Sequence, residues 1–367
     1  MVDKIDLTPI RGSIVDDPSK AHGIAWAALN AGEKLQKVYI QHPTLKDDDV
    51  RIRVTYAGIC QTDVSCVEGY LGPFITFPCI PGHEVVGNIV KVGSKVTNLK
   101  VGDLVGLGPM RDCCENCEYC QQEHENLCVG GTPSLTVNFF GSFSTSVQVP
   151  HRFVFKLPDK MQEDVCAPLM CAGCTVFAPL KKYGKKDGNA AILGIGGLGH
   201  LAVQISNKMG MKTYAVSTSD GKKEVITKLG AHEYINFTKE EDVKKLHDGK
   251  IDVMLNTTSN GDVTNYMRGL RRGGGCLAQI GFPKNEFKVS ALEILMNEWR
   301  LAGSATSSRK DFREMLEFCN EKGINPKNEY FEFEDYQAAY DRVKSGKPEF
   351  RVVVKMKNVD TSICKAE

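Results

Sequence analysis

A glycine-rich turn is the feature of this chain that most restricts its fold. Gly194, Gly196 and Gly199 follow an apolar run that begins at Ala190 and precede a helical pattern that continues to about Met209. In a strand–turn–helix unit, the first glycine permits the tight turn, the second lets the backbone approach a pyrophosphate, and the third allows close packing of helix and strand. The turn therefore predicts a dinucleotide site; the alternative is a tight turn that binds nothing. The predicted site comprises Gly194, Gly196, Gly197, Leu198 and Gly199.

The sequence pattern changes near Met161. Earlier residues form short strand-like runs, such as the alternating run at 50–56, which are separated by glycine and proline turns and predict a barrel of antiparallel strands. Later residues alternate between strand and helix patterns, which is typical of a parallel sheet covered on both faces. The strands predicted there are 190–195, 212–217, 251–256, 276–282 and 299–303; helices are predicted at 222–229 and around 312–319, and a last strand at 350–356.

The end of the second predicted strand of the parallel sheet indicates which dinucleotide fits. A carboxylate at this point holds the ribose 2′-hydroxyl of NAD, and it would repel the 2′-phosphate of NADP. The chain instead carries small hydroxyls followed by lysines: Ser217, Thr218, Ser219, Lys222 and Lys223. These residues favour NADP over NAD, and we expect the nearby Asp220 to point away. The alternative is a solvated polar loop that opens the next helix.

Four cysteines lie close together on one segment: Cys114, Cys117, Cys120 and Cys128. The short gaps let the backbone wrap around an ion, and four thiolates fill the coordination sphere of a tetrahedral zinc. Because such a site leaves no position for a substrate, we predict a structural zinc. Cys113 is a competing ligand, but the regular spacing favours Cys114. The alternative is a cysteine-rich patch without a metal.

The composition excludes several classes of partner. The 367 residues are 42% hydrophobic and 25% charged, which is ordinary for a globular protein of about two domains. The net charge of +1 gives no reason to expect nucleic acid or an anionic membrane as a partner. No run approaches the roughly 18 apolar residues of a membrane span, and the N-terminus has no apolar leader. We therefore expect a cytoplasmic protein, whose fourteen cysteines stay reduced.

Three further residues, Cys60, His83 and Cys171, are candidates for a second metal site. None of them is diagnostic alone, because a lone cysteine is usually buried in a core and a lone histidine is usually structural. Beside a thiolate cluster and a nucleotide fold, they predict a catalytic zinc with two sulfurs, one imidazole and an open position. The open position would take a carbonyl or alcohol oxygen.

Together these motifs resemble the zinc-dependent medium-chain alcohol dehydrogenases, in particular their cinnamyl alcohol dehydrogenase-like branch. The matching segments are, in order, 58–63, 81–84, the four-cysteine segment, 168–173 and 194–200. The resemblance implies an α/β protein with a GroES-like β-barrel catalytic domain at 1–165 and 315–367. It also implies a Rossmann NADP-binding domain, a doubly wound parallel sheet, at 166–314. The implied activity is the interconversion of primary alcohols and aldehydes by hydride transfer with NADP(H), in a homodimer that contains two zinc ions per chain.

The resemblance also implies roles for single residues. The catalytic zinc would be held by Cys60, His83 and Cys171, with Glu84 near the metal and able to exchange with water. Asp63 would orient the site, and Thr62 would contact the substrate oxygen and pass its proton. Toward the cofactor, the implied residues are Arg351 near the phosphates and the stretch Ser304–Thr306 beside the nicotinamide.

The chain departs from the family pattern at several positions. Gln61 and Ser65 stand where the family often has histidines, and the second of these commonly ends the proton relay. Ser65 or water must therefore end it here. The segment between Cys128 and Gly141 looks short and carries Phe139 and Phe140, which puts an aryl substrate in doubt. The apolar residues that could line a pocket or belong to the core are Tyr70, Leu71, Phe74, Phe139 and Phe140.

Two other functions remain open from the sequence. One is a zinc-free NADPH-dependent quinone or enoyl reductase on the same two-domain plan, which would not need the Cys60, His83 and Cys171 set. The other is a non-enzymatic zinc- and nucleotide-binding module. The presence of all three candidate ligands argues against the first, and the absence of turnover with any aldehyde would favour the second.

Overall fold

The computed structural model describes residues 12–132, 139–282 and 285–364. Contacts divide the chain into two compact units. The first comprises Met1–Cys171, Ser308–Asn320 and Pro326–Glu367, and the second comprises Ala172–Ser307 and Glu321–Asn325. These boundaries differ by a few residues from the sequence-based ones at 165/166 and 314/315. The reason is that the turn Ala167–Met170 belongs with the first unit, where Met170 packs closely over Gly106.

The first unit begins with antiparallel strands. They are β1 Ser13–Val15, β2 Gly23–Ala27, β3 Gln36–Gln41, β4 Asp49–Ile59, β5 Glu84–Val92, β6 Leu104–Leu107, β7 Ser146–Pro150 and β8 Val154–Lys156. β3 lies between β1 and β2 in a small sheet, and β4 pairs with both β5 and β7. The alternation of Val50, Ile52 and Val54 buries these three side chains in the core of the unit, as the sequence pattern predicts.

The second unit contains a parallel sheet. Its strands are β9 Asn189–Leu193, β10 Lys212–Ser217, β11 Glu233–Asn236, β12 Val253–Asn256, β13 Cys276–Gln279 and β14 Arg300–Gly303. Their spatial order is β11-β10-β9-β12-β13-β14, and every pair is parallel. The order reverses at β9: β10 and β11 lie on one side of it, and β12, β13 and β14 lie on the other. Ligands of such sheets bind at this point, where the glycine turn follows β9.

Two late strands complete the larger sheet of the first unit. They are β15 Asn328–Glu332 and β16 Arg351–Lys355, and the resulting order is β15-β16-β4-β5-β6-β8, with β7 paired to β4. β15 and β16 are parallel, whereas the strands that the sequence predicts for the early part of the chain are antiparallel. The helix Tyr336–Lys344 connects these two strands, and such a crossover returns the chain in the same direction.

The helices are mostly short. They are α1 Gln61–Val67, α2 Glu118–Gln121, α3 Glu163–Cys166, α4 Ala172–Tyr183, α5 Gly199–Lys208, α6 Lys223–Lys228, α7 Glu240–Leu246, α8 Thr264–Met267, α9 Ala291–Asn297, α10 Arg309–Lys322 and α11 Tyr336–Lys344. In α10, one face is buried through Phe312, Met315, Leu316 and Cys319, in agreement with the predicted helical spacing. In the described part of the chain, no single helix has the length and apolar character of a membrane span. One bent pair, Glu163–Met170 with Ala172–Tyr183, meets these criteria by length and composition alone.

Candidate active site

Asp63 organises a buried cluster at the start of α1. Its Oδ2 accepts the backbone N–H of Cys60 at 2.8 Å, and its Oδ1 accepts the backbone N–H of Gly82 at 2.9 Å. The same Oδ1 lies 2.9 Å from Nδ1 of His83. Because a carboxylate accepts this bond, Nδ1 carries the proton and Nε2 presents its lone pair to the other side. Three N–H groups thus satisfy a carboxylate that is entirely buried.

Four potential metal ligands converge next to Asp63. The ligand atoms of Cys60, His83, Glu84 and Cys171 all lie within 4.8 Å of one another. Nε2 of His83 is 3.2 Å from Sγ of Cys171. A hydrogen bond from Cys171 lowers the pKa of the Cys60 thiol well below its usual value, against the effect of burial. Since the thiolate is the form that binds a metal, this environment suits a cation.

Glu84 also indicates a metal site, because one of its carboxylate oxygens has no hydrogen-bond partner among the described residues. Its Oε1 contacts Nη2 of Arg351, whereas its buried Oε2 has no hydrogen-bond partner among the described residues. Burial raises the pKa of this carboxyl to about 7, although the Arg351 guanidinium opposes the shift. Two sulfurs, an imidazole and an unpartnered carboxylate oxygen form a donor set that fits zinc. The residues present therefore suit the metal that the motifs predict.

Gly58 makes room for Glu84, a role that its place in the segment 58–63 did not indicate. The two residues face each other across the β4–β5 pair. A Cβ atom on Gly58 would lie 1.9 Å from Oε2 of Glu84, so no other residue fits there without moving the carboxylate. Local spacing carries no signal for this requirement, because the two residues are far apart in the chain.

Arg351 contacts Glu84, one of the candidate metal ligands. Its side chain is buried and its guanidinium contacts Glu84, so it lies beside the candidate metal ligands in the first unit. The role toward cofactor phosphates that the resemblance implies stays a prediction. A positive charge in this place favours the ionised forms of Cys60 and Glu84.

The proposed proton relay is only partly assembled. Oγ1 of Thr62 lies 3.7 Å from Sγ of Cys60, and its side chain is exposed, so it can reach a substrate oxygen near the cluster. The hydroxyl of Ser65 instead donates to the carbonyl oxygen of Gln61 at 3.1 Å. A relay through Ser65 would require this bond to break, and its role stays a prediction.

The four-cysteine segment forms the second cluster. The sulfurs of Cys114, Cys117, Cys120 and Cys128 lie within 4.8 Å of one another, with Cys114 and Cys128 only 3.3 Å apart. Hydrogen bonding from the backbone of Cys120 lowers the pKa of the Cys117 thiol to about 6. Burial raises the pKa of the Cys113 thiol, as it does for Cys120 and Cys128, so the shift does not decide between them; the group of four converging sulfurs includes Cys114 and not Cys113. The four sulfurs fit a closed zinc site.

Each glycine of the turn after β9 has a distinct geometric role. Gly194 has a φ of +85°, which favours glycine at this position. No described atom lies within 4 Å of a Cβ built on Gly196, so a ligand can approach its backbone. A Cβ on Gly199 would lie 1.9 Å from the carbonyl oxygen of Gly194. Gly197 and Leu198 lie between them, and α5 begins directly afterwards. This geometry suits a pyrophosphate at a helix N-terminus.

The residues after β10 are arranged around the same turn. Nζ of Lys222 donates to the carbonyl oxygen of Ile195 at 3.1 Å, which brings this lysine to the glycine turn. Asp220 forms an ion pair with Lys239 at 2.8 Å, so its charge is partly neutralised. Ser217 ends β10, Thr218 and Ser219 are exposed, and Lys223 begins α6.

The candidate pocket residues fall into two groups. Tyr70 and Phe74 are 74% and 71% exposed, and Leu71 is half-buried. Phe139 and Phe140 are buried instead; Phe140 belongs to the core and Phe139 lies under the guanidinium of Arg111. The structure thus assigns these two phenylalanines to the core rather than to a pocket wall. Residues 133–138 of the same segment lie outside the described residues.

Comparisons with known proteins identify the family of both parts of the chain. The family described as alcohol dehydrogenase GroES-like domain matches residues 46–159, and the family described as zinc-binding dehydrogenase matches residues 197–321. A probable formaldehyde dehydrogenase of Bacillus subtilis is 36% identical over 334 residues, which cover 89% of this chain and 95% of that protein. An NADP-dependent alcohol dehydrogenase of Mycolicibacterium smegmatis is 35% identical over 340 residues, covering 90% and 97%.

A solved structure gives the same result for the fold. A cinnamyl alcohol dehydrogenase from Sorghum bicolor superimposes with a TM-score of 0.87 at 30% identity. The superposition covers 92% of this chain and 99% of the Sorghum chain.

Proposed function

Because the chain belongs to the zinc-dependent medium-chain alcohol dehydrogenases, in their cinnamyl alcohol dehydrogenase-like branch, we propose that it interconverts primary alcohols and aldehydes with NADP(H). The observation that carries the proposal is the convergence of Cys60, His83, Glu84 and Cys171 ligand atoms within 4.8 Å. A zinc ion bound there supplies Lewis acidity toward a substrate oxygen. NADPH supplies the hydride in the direction of aldehyde reduction.

The residues of the chain prepare this chemistry in separate ways. Asp63 holds His83 in the tautomer that leaves Nε2 free for a metal. Arg351 compensates charge beside Glu84 and keeps this buried carboxylate in place. Oγ1 of Thr62 gives a proton to the substrate oxygen during reduction and takes it back during oxidation. The remaining step in that relay is carried by water or by Ser65 after its bond to Gln61 opens.

The preference for NADP(H) rests on the charges near the glycine turn. Lys222 lies at the turn, and the nearest carboxylate, Asp220, is engaged by Lys239. This arrangement favours a 2′-phosphate, which Lys222 attracts and an unpaired carboxylate would repel. The similarity to an NADP-dependent relative supports the same choice. An NADP(H) preference in turn favours aldehyde reduction as the physiological direction.

Substrates are proposed to be apolar aldehydes. Tyr70 and Phe74 follow α1, which carries Thr62, and both rings are exposed. Exposed aromatic side chains next to a polar reaction site are suited to bind an aliphatic, allylic or aryl substituent. The breadth of this preference is the property that a substrate panel would establish.

The direct test of the proposed function is NADPH consumption with a panel of aliphatic, allylic and aryl aldehydes, with and without a zinc chelator. We expect turnover with at least one class, lower activity with NADH, and loss of activity on chelation. Unchanged NADPH absorbance across the whole panel would support a non-enzymatic module. Turnover that persists after removal of all zinc would support the zinc-free reductase class.

We also propose that the protein is a homodimer. Leu292, Leu295 and Met296 on α9 are 70%, 72% and 69% exposed, and Leu301 on β14 is 43% exposed. β14 is the last strand of the parallel sheet within the described residues, so its outer edge can pair with another strand. An exposed apolar patch beside such an edge is typical of an interface. We expect light scattering to give the mass of two chains; a monomer at micromolar concentration would contradict this.

A further inference from the structure

The segment that carries the four thiolates has little core of its own. We define the thiolate lobe as residues 112–129; its regular structure is α2 and the short turn Glu125–Leu127. Two of its glutamates, Glu115 and Glu123, have left-handed φ values of 58° and 59°, which are uncommon for residues other than glycine. The lobe therefore depends on bound metal and on contacts with its surroundings.

Several of those contacts reach the first turn of α10, whereas Asp112 and Glu115 also pair with Arg152. Oε1 of Glu125 accepts the backbone N–H of Arg309 at 2.6 Å and its side-chain Nε at 2.8 Å. Nη1 of Arg309 reaches Glu115 at 3.1 Å, and Nζ of Lys310 pairs with Glu123 at 2.8 Å. Three glutamates of the lobe thus hold two consecutive residues of the helix.

The central pair differs from the outer one in its burial. Glu125 is 1% exposed and Arg309 is 20% exposed, whereas Glu123 and Lys310 are both more than half exposed. The Arg309 guanidinium also lies 5.1 Å from the centre of the Phe153 ring. A buried pair of this kind is costly to break, because the remaining charge is left uncompensated. An exposed pair contributes little.

The chain just before Arg309 is under conformational constraint. Thr306 has a φ of +53°, a left-handed value that is strained for a β-branched residue. The backbone N–H of Ser304 is bonded to the carbonyl oxygen of Gln279 at 3.1 Å, so one end of the segment is attached to the parallel sheet. Its other end is attached through Arg309 to Glu125. A strained conformation persists only where both flanks hold it.

We propose that Glu125 is a positioning residue that couples metal binding in the thiolate lobe to cofactor binding by Ser304–Thr306. The inference rests on the proposed function and on the place beside the nicotinamide that the family resemblance implies for this stretch. Metal in the lobe orders Glu125, Glu125 fixes Arg309, and Arg309 fixes the strained segment before it. Because such coupling is reciprocal, bound cofactor in turn slows loss of the lobe metal.

The test compares two isosteric variants of the intact protein, Glu125→Gln and Glu123→Gln. For Glu125→Gln we expect chelator-induced release of the lobe zinc to be about tenfold faster and the Kd of NADPH, from fluorescence, to rise about fivefold. Glu123→Gln removes the exposed pair of the same lobe and should change both quantities less than about twofold. Saturating NADPH should slow zinc release in the wild type and not in Glu125→Gln.

A further variant distinguishes loss of the coupling from a general folding defect. Arg309→Lys keeps the positive charge and the backbone bond to Glu125 but loses the reach to Glu115, and it should shift both quantities in the same direction by a smaller factor. Wild-type NADPH affinity in Glu125→Gln, or zinc release that NADPH never affects, would overturn the coupling. If the wild-type protein binds no NADPH at all, the proposed function fails together with the inference, whereas the first two outcomes leave the proposed function intact.

Discussion

Replacement of Cys60 by alanine is expected to lower kcat/KM for aldehyde reduction by about 10⁴-fold or more, because a metal-dependent step loses one of two sulfur ligands. The fold should survive, since Asp63 contacts the backbone N–H of residue 60 and not its sulfur. Elemental analysis should give about two zinc ions per chain for the wild type and about one for the variant, bound in the thiolate lobe. Steady-state NADPH consumption and metal content are the two measurements.

Cys66→Ala is the matched control for this change. Cys66 lies on the same helix and is fully buried in a small apolar cluster with Ile75 and Cys79. The Cys66→Ala replacement should lower the free energy of unfolding by about 1 kcal/mol and leave zinc content and kcat unchanged. A Cys60→Ala protein that is folded and turns over at the wild-type rate would rule out the zinc mechanism. A wild-type protein with a single zinc, held by the lobe, would do the same.

Charge reversal of Lys222 to glutamate is expected to raise the KM for NADPH by about 100-fold, because a carboxylate then meets the 2′-phosphate. The KM for NADH should stay within about threefold, since NADH has no phosphate to repel. The structural basis is the contact of Lys222 with the carbonyl oxygen of Ile195, which puts its charge at the glycine turn. Initial rates with both cofactors and one good aldehyde provide the comparison.

Lys228→Gln, at the far end of the helix α6 that begins directly after Lys222, is the control. Lys228 is exposed and pairs with Glu224 one turn away, so its loss should leave both cofactor constants unchanged. Lys239→Gln should have an effect of intermediate size. It removes the ion-pair partner of Asp220, whose unpaired carboxylate then weakens NADPH binding by a smaller factor than Lys222→Glu does. Equal effects on NADPH and NADH in the Lys222 variant would contradict the assignment of this lysine to the 2′-phosphate.

The parallel sheet and its glycine turn are predictable because their signals are local. Each of three glycines has a local role: Gly194 has a positive φ, Gly196 leaves its backbone open to a ligand, and Gly199 lies against the carbonyl oxygen of Gly194. The strand and helix patterns of the second unit likewise depend on neighbours within a few residues. The family assignment from the combined motifs is confirmed, whereas NADP(H) preference, zinc content and the relay residues stay predictions.

Other features depended on partners that are distant in sequence. The parallel pairing of β15 and β16 depends on the crossover helix α11, and the sequence patterns predicted β16 but neither β15 nor this helix. Phe139 and Phe140 could have lined a pocket, and only the tertiary structure shows that both are buried, Phe140 in the core of the first unit and Phe139 against Arg111. The contact of Arg309 with Glu125 joins residues that no spacing rule relates.

The sequence alone determined the chemistry available to this protein: thiols and an imidazole for zinc, a glycine turn for a pyrophosphate, and lysines where a phosphate would lie. These follow from residue types and short spacings, which act through local backbone geometry. Only the tertiary structure decided that Gly58 makes room for Glu84, that Arg351 contacts it, and that Asp63 orients His83. Packing between strands and helices brings such residues together. Local sequence does not indicate which distant side chain will occupy a given space.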